Sequence, residues 1–196
     1  MNALIIATQN AHKAREIAAI LPPRISVRTL ADFPHLTPPD ETGTTFAENA
    51  ALKATALSEQ VEGWVLADDS GLCVDALGGR PGVFSARYAG IHGDDAANNR
   101  KLVADLAPLP APYPARFVCA LCLACSGRVE AEFCGELEGT ISLAPRGSHG
   151  FGYDPHFVPD AYPHLTLAEL PAELKNRISH RARALACLAD WWSRRP

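Results

Sequence analysis

Trp64-Val65-Leu66-Ala67-Asp68-Asp69-Ser70-Gly71-Leu72 sets two adjacent carboxylates directly behind an apolar run. Trp, Val and Leu between turn residues read as a short buried strand. Strand side chains alternate between faces, so Asp68 and Asp69 are expected to point in opposite directions. A carboxylate buried at a strand end without a partner costs several kcal/mol. A divalent cation, a cluster of backbone amides or a basic side chain would compensate it. Asp-Asp-Ser-Gly is also ordinary turn chemistry, an Asx-turn closing the strand. Both readings stay open on this stretch alone.

Working outward, 196 residues suffice for one sizeable core and are short for two full domains. Apolar residues at 47% and charged residues at 20% describe a globular protein. A net charge of -4 argues against a dedicated nucleic-acid binder. No apolar run approaches the roughly 20 residues that span a bilayer. Met1-Asn2 leads at once into Leu4-Ile5-Ile6, unlike a signal peptide. A cytoplasmic protein with reduced thiols is therefore expected. Cys119, Cys122 and Cys125 look at first like a metal site. In a strand, Cys119 and Cys125 share a face about 20 Å apart and Cys122 faces away. Zinc needs its sulfurs about 2.3 Å from one point, so these cysteines read as core filler.

Leu4-Ile5-Ile6-Ala7 reads as a buried strand turning through Thr8-Gln9-Asn10-Ala11-His12-Lys13 into a helix (Ala14, Ile17, Ala18, Leu21) that Pro22-Pro23 stops. Such a junction offers backbone N–H groups to phosphate, and Asn10 can cap it. The macrodipole disfavours His12 and Lys13 in a first turn unless an anion binds there. A short strand is expected at Ile25-Ser26-Val27. Thr45 and Glu48 form a capping box for a helix burying Phe46, Ala50, Leu57 and Val61, while Asn49 and Lys53 share another face. The glycines around Pro81 mark a shaped loop, and a helix is expected over Asp95–Leu106. The Cys-rich strand pairs with Val129–Gly135 through Ser126-Gly127. In Gly150-Phe151-Gly152-Tyr153-Asp154, Phe151 can stack on a flat ligand while Asp154 bonds its edge; a turn with core aromatics is the bland alternative. Ser179 caps a last helix with the stripe Ala182, Leu185, Ala189 and Trp192. His180 and Arg181 then form a second basic helix start, pointing to a polyanionic ligand.

These motifs together resemble the inosine triphosphate pyrophosphatases, which convert non-standard purine nucleoside triphosphates such as ITP, dITP and XTP to the monophosphate and pyrophosphate. The resemblance runs nearly end to end. It is carried by Ala7 to Lys13, Glu41-Thr42-Gly43, Glu48-Asn49-Ala50 with Lys53-Ala54, and Ala67 to Leu72. It continues through Pro81-Gly82-Val83, Ser85 to Tyr88, Gly150 to Pro155, Lys175-Asn176 and Ile178 to Arg181. It implies an α/β fold, a mixed central sheet flanked by helices in two lobes with a cleft between them, as one domain over 1–196, usually a homodimer. Thr8, Gln9, Asn10, Ala11, His12 and Lys13 look like the triphosphate-binding turn. Glu41 and Asp69 look like Mg²⁺ ligands, with Asp69 also the proton acceptor for the attacking water. Lys53, Ser70, Phe151, Gly152, Tyr153, Asp154, Lys175, His180 and Arg181 look like substrate contacts, with Arg181 and His180 donors to a 6-oxo group. Two departures stand out: Gln9 where the family commonly has Gly, and Leu174 where it has a second acid before Lys175. Asp68 is either a second metal ligand or a partner of Lys53.

A nucleoside triphosphate carries nearly four negative charges, which Mg²⁺, lysines and helix N-termini would neutralise. Two rival expectations remain: a Maf-like pyrophosphatase acting on other modified nucleotides, and a nucleotide-binding regulator without turnover.

Overall fold

The structure, a computed structural model, describes residues 4–22 and 25–194. Met1-Asn2 and Pro23 lie outside the described residues. The elements are β1 (Leu4–Ala7), α1 (Ala11–Ile20), β2 (Val27–Thr29), α2 (Phe46–Ser58), β3 (Trp64–Val74), α3 (Asp95–Leu106), β4 (Pro114–Cys125), β5 (Arg128–Ile141), β6 (Phe157–Pro159), α4 (Ala172–Ile178) and α5 (His180–Ser193). The strands form a six-stranded sheet in the order β2-β1-β3-β4-β5-β6. β1 runs parallel to both neighbours, Leu4 pairing with Val27 and with Trp64. β5 and β6 are antiparallel, Gly139 opposite Pro159. The sheet is thus mixed, with flanking helices, as the α/β expectation held. β1 is buried along its length, which is why it reads as an unbroken apolar run.

β3 corrects the opening reading in one respect. It does not end at the aspartates but continues through Asp-Asp-Ser-Gly to Val74, so no Asx-turn closes it. Gly71 is needed there: a Cβ would meet Ser85 Oγ at 2.3 Å. Ser85 Oγ accepts from Leu72 N–H at 2.9 Å and donates to the Gly82 carbonyl at 2.6 Å, tying the Gly82–Arg87 3-10 turn to the strand.

The chain divides into two compact units. The first comprises residues 1–69, 119–135 and 180–196. Alternation along its strands sorts side chains into two cores. Ile5, Ala7, Val65, Ala67, Ala120 and Cys122 pack with Ala50, Ala54 and Leu57 of α2. Leu4, Ile6, Leu66, Cys119, Leu121 and Leu123 pack with Ile17 of α1 and with Ala184, Leu185 and Leu188 of α5. Cys119 and Cys122 fall on opposite faces as expected, and all six cysteines are free thiols. Ser126 (φ 50°) and Gly127 (φ 76°) make the tight turn between β4 and β5, both residues left-handed as such a hairpin requires.

The second unit comprises residues 70–118 and 136–179. Its core gathers Leu72, Leu102, Leu106, Phe117, Tyr153, Phe157 and Leu167. α3 has the expected bounds. Helix α4 was not foreseen: residues 173–178 read as a lead-in, yet they belong to a helix with Ser179 as its C-cap, and the same Ser179 directly precedes α5. β2 lies slightly later than Ile25-Ser26-Val27. Thr45 Oγ accepts from Glu48 N–H, so the capping box forms.

Candidate active site

Asp68 and Asp69 leave β3 on opposite faces, as alternation requires, and meet different chemistry. Asp68 is 1% exposed. Lys13 Nζ donates to its Oδ1 at 2.5 Å, and Arg181 Nε donates to Oδ2 at 3.0 Å. The Cys119 thiol donates to Oδ2 at 3.2 Å. Arg181 is held from its other side by Glu16 through Nη1. Burial opposes ionisation of Asp68, but Arg181 and Lys13 outweigh it and hold the carboxyl well below the usual range. Burial and the Asp68 charge push the Cys119 thiol well up, so it stays a protonated donor. The side chain of Asp68 is therefore the partner of Lys13 and Arg181. Lys53 takes only its backbone carbonyl, at 2.9 Å.

Asp69 faces α2. Asn49 Nδ2 donates to Oδ2 at 3.2 Å, and Lys53 Nζ approaches Oδ1 at 3.3 Å. The same Lys53 Nζ donates to Glu41 Oε1 at 2.7 Å. Asn49 Oδ1 accepts from Gly43 N–H at 2.8 Å, which anchors the segment just after Glu41. Burial raises the Asp69 pKa; Lys53 and Lys13 pull against it, while Glu41 and Asp68 add to it, and the net shift is upward. Burial works against the Lys53 charge, yet Asp69 and Glu41 raise its pKa overall. Two carboxylates thus converge on one cation, with one of them less than fully compensated. That donor set suits a small hard cation, which takes one or two protein carboxylates and completes its shell with water and phosphate oxygens. Among the described residues, no group of three or more His, Cys, Asp or Glu side chains forms an all-protein metal cage.

The α1 start follows the sequence reading. Asn10 Oδ1 accepts from His12 N–H at 2.9 Å and Lys13 N–H at 3.2 Å, and Asn10 N–H donates to Thr8 Oγ1 at 3.1 Å. Gln9, Asn10, Ala11 and His12 are exposed and Thr8 half-buried. The only non-glycine residue with positive φ among those described is Ser126, so Gln9 needs no glycine-like backbone. First-unit geometry therefore brings together Lys13, Glu41, Lys53, Asp68, Asp69 and Arg181. His180 is buried beside Arg181 at the start of α5.

In the second unit, Ser70 is half-buried on β3. Lys175 Nζ donates to Asp154 Oδ2 at 2.6 Å and lies 4.7 Å from the centre of the Phe151 ring. Asp154 Oδ2 also accepts from Phe151 N–H at 2.9 Å. Tyr153 differs from its neighbours: its ring belongs to the core, and its hydroxyl donates to the Ser85 carbonyl at 2.8 Å. Any ligand contact there would be through backbone.

A model of the Ham1 family matches residues 4–191. The chain belongs to the Ham1 family. It is 52% identical over 195 residues to the dITP/XTP pyrophosphatase of Geobacillus kaustophilus, with 98% of this chain and 95% of that protein covered. It is 51% identical over 187 residues to the dITP/XTP pyrophosphatase of Listeria innocua, with 94% of this chain and 92% of that protein covered. The solved structure of a HAM1 protein from Coxiella burnetii superposes with a TM-score of 0.88 at 37% identity, covering 100% of both chains. The resemblance read from the motifs is borne out. Within this Ham1-family chain, sequence reading missed Cys119 and Asn49 as neighbours of the aspartates and Glu16 as the partner of Arg181. Cys119 and Glu16 carry no local signal, because β4 and α1 bring them to Asp68 and Arg181 only through tertiary packing. Asn49 was placed on a face with Lys53, and its neighbour on β3 is what that face meets.

Proposed function

We propose that this protein hydrolyses non-standard purine nucleoside triphosphates (dITP, XTP and ITP) to the nucleoside monophosphate and pyrophosphate. The observation that carries the reading is the Asp69 carboxylate, buried beside Glu41 and Lys53 with its pKa raised, in a chain matched over nearly its whole length by dITP/XTP pyrophosphatases. A general base works best when its pKa approaches the working pH, and burial moves Asp69 in that direction. Asp69 Oδ accepts a proton from the water that attacks the α-phosphorus. Lys53 and Lys13 offset the negative charge gathered around the reacting group. Glu41 and Asp69 would hold Mg²⁺, which when bound neutralises phosphate oxygens and the leaving pyrophosphate.

Thr8 to Lys13 bind the triphosphate, with Asn10 fixing the turn. Ser70, His180 and Arg181 complete the substrate contacts, and the last of these also holds Asp68 against Lys13. Phe151 stacks on the base, while Asp154, Lys175 and the backbone of Gly152 and Tyr153 bond its edge. Donors directed at a 6-oxo group would leave the amino group of adenine mismatched, at about 1–3 kcal/mol per lost bond. A cytoplasmic homodimer belongs to the same proposal, and light scattering is expected to give about twice the 21.0 kDa chain mass. Pyrophosphate release from ITP, dITP, XTP, ATP and dTTP with Mg²⁺ tests the activity. Turnover of the first three well above the last two is expected; dTTP as the best substrate, or nucleotide binding without pyrophosphate, would overturn it.

A further inference from the structure

The loop carrying Phe151 to Asp154 is gripped at a single residue by two side chains of α3. Asp95 Oδ2 accepts from Gly152 N–H at 2.7 Å, and Asn99 Nδ2 donates to the Gly152 carbonyl at 2.8 Å. Asp95 and Asn99 are four apart, hence neighbours on one helix face. Together they fix both peptides flanking a glycine whose φ of +61° few other residues adopt. The first of those peptides joins Phe151 to Gly152, so its orientation sets where the Phe151 ring lies. On the other side, Asp154 Oδ2 holds Phe151 N–H and Lys175 together.

Neither residue supplies the cap of the helix. The N-cap of α3 is Asp94, whose Oδ1 accepts from Ala97 N–H at 2.9 Å. Asn98, not Asn99, ties the preceding loop, accepting from Ala89 N–H at 2.8 Å. Asn99 also carries a cost. Its Oδ1 is buried with no hydrogen-bond partner, a situation that costs about 1–3 kcal/mol. An apolar side chain would fill the position without that cost, so the amide is explained by its bond to Gly152.

We propose that Asp95 and Asn99 are positioning residues for nucleobase recognition: they lock the peptides around Gly152 and thereby hold the Phe151 ring where a purine stacks. This rests on the proposed contact of the Phe151–Asp154 segment with the base. The test compares D95A, D95N, N99L and F151A by steady-state kinetics with dITP and dGTP, and by inhibition with inorganic tripolyphosphate. D95A and N99L are expected to raise KM for dITP about tenfold, the loss of one good hydrogen bond, with kcat changed less than about twofold. Selectivity for dITP over dGTP narrows, and the tripolyphosphate inhibition constant stays at the wild-type value because the phosphate contacts are untouched. D95N restores most of the KM, since its Oδ1 can still accept from Gly152 N–H. Wild-type KM and selectivity in D95A would overturn the proposal. So would a parallel weakening of tripolyphosphate, which marks general loosening. Asp95 is exposed, so D95A carries the test even if N99L fails to fold. If F151A leaves KM for dITP unchanged, the nucleobase reading itself fails; if F151A raises KM and D95A does not, only the positioning role falls.

Discussion

The two faces of β3 at Asp68 and Asp69 hold the same side chain in opposite conditions. Asp68 is saturated by Lys13, Arg181 and Cys119, and its pKa is driven down. Asp69 has Asn49 and a longer contact with Lys53, itself shared with Glu41, and its pKa is driven up. Burial pushes both carboxyls the same way; the number and closeness of cations decide the sign. A single-residue step along a strand thus separates a carboxylate whose charge is favoured from one whose charge is disfavoured. Asp68 joins α1 to α5 by pairing Lys13 with Arg181, whereas Asp69 meets Asn49 and Lys53 of α2.

Several substitutions would break or sharpen this contrast. Asp68→Asn should have the largest effect on stability, about 3–5 kcal/mol, because it removes the buried carboxylate shared by the half-buried Lys13 and the buried Arg181; urea unfolding measures it, and a change within experimental error would refute the saturation of Asp68. Glu16→Gln should cost less, about 1–3 kcal/mol, because Arg181 keeps Asp68; the same unfolding experiment ranks the two variants. The gap between wild type and Asp68→Asn should also depend on pH. A carboxyl whose folded pKa lies below its usual 3.8 contributes fully above that value, and the contribution is lost as pH falls through the folded pKa. The gap should therefore be constant between pH 7 and pH 5 and shrink only below about pH 4. Cys119→Ala should have the smallest effect, up to about 1 kcal/mol, as a thiol is a weak donor and two cations remain; a thermal melt reads it.

The sequence made the alternation of the aspartates legible, because an apolar run of Trp, Val and Leu fixes a strand and a strand fixes the faces. The Thr45–Glu48 capping box, the α3 bounds and the Ser126-Gly127 hairpin were legible for the same local reasons. The continuation of β3 to Val74 was not. Asp-Asp-Ser-Gly favours a turn locally, and the cations that make an extended path tolerable come from α1, α2 and α5, far along the chain. Arg181 reads as a ligand-facing cation at a helix start, yet it is 1% exposed with Glu16 and Asp68 as partners. Tyr153 reads as a ligand contact beside Phe151; which of two aromatics enters the core depends on the left-handed Gly152 between them.

The contrast between the two carboxylates is tested most directly by the turnover of Asp69→Asn with dITP, measured beside competitive binding of the same nucleotide. The account expects kcat to fall by about 10²–10⁴-fold, the contribution of a positioned general base, with nucleotide binding retained. Near-normal kcat in Asp69→Asn would contradict it.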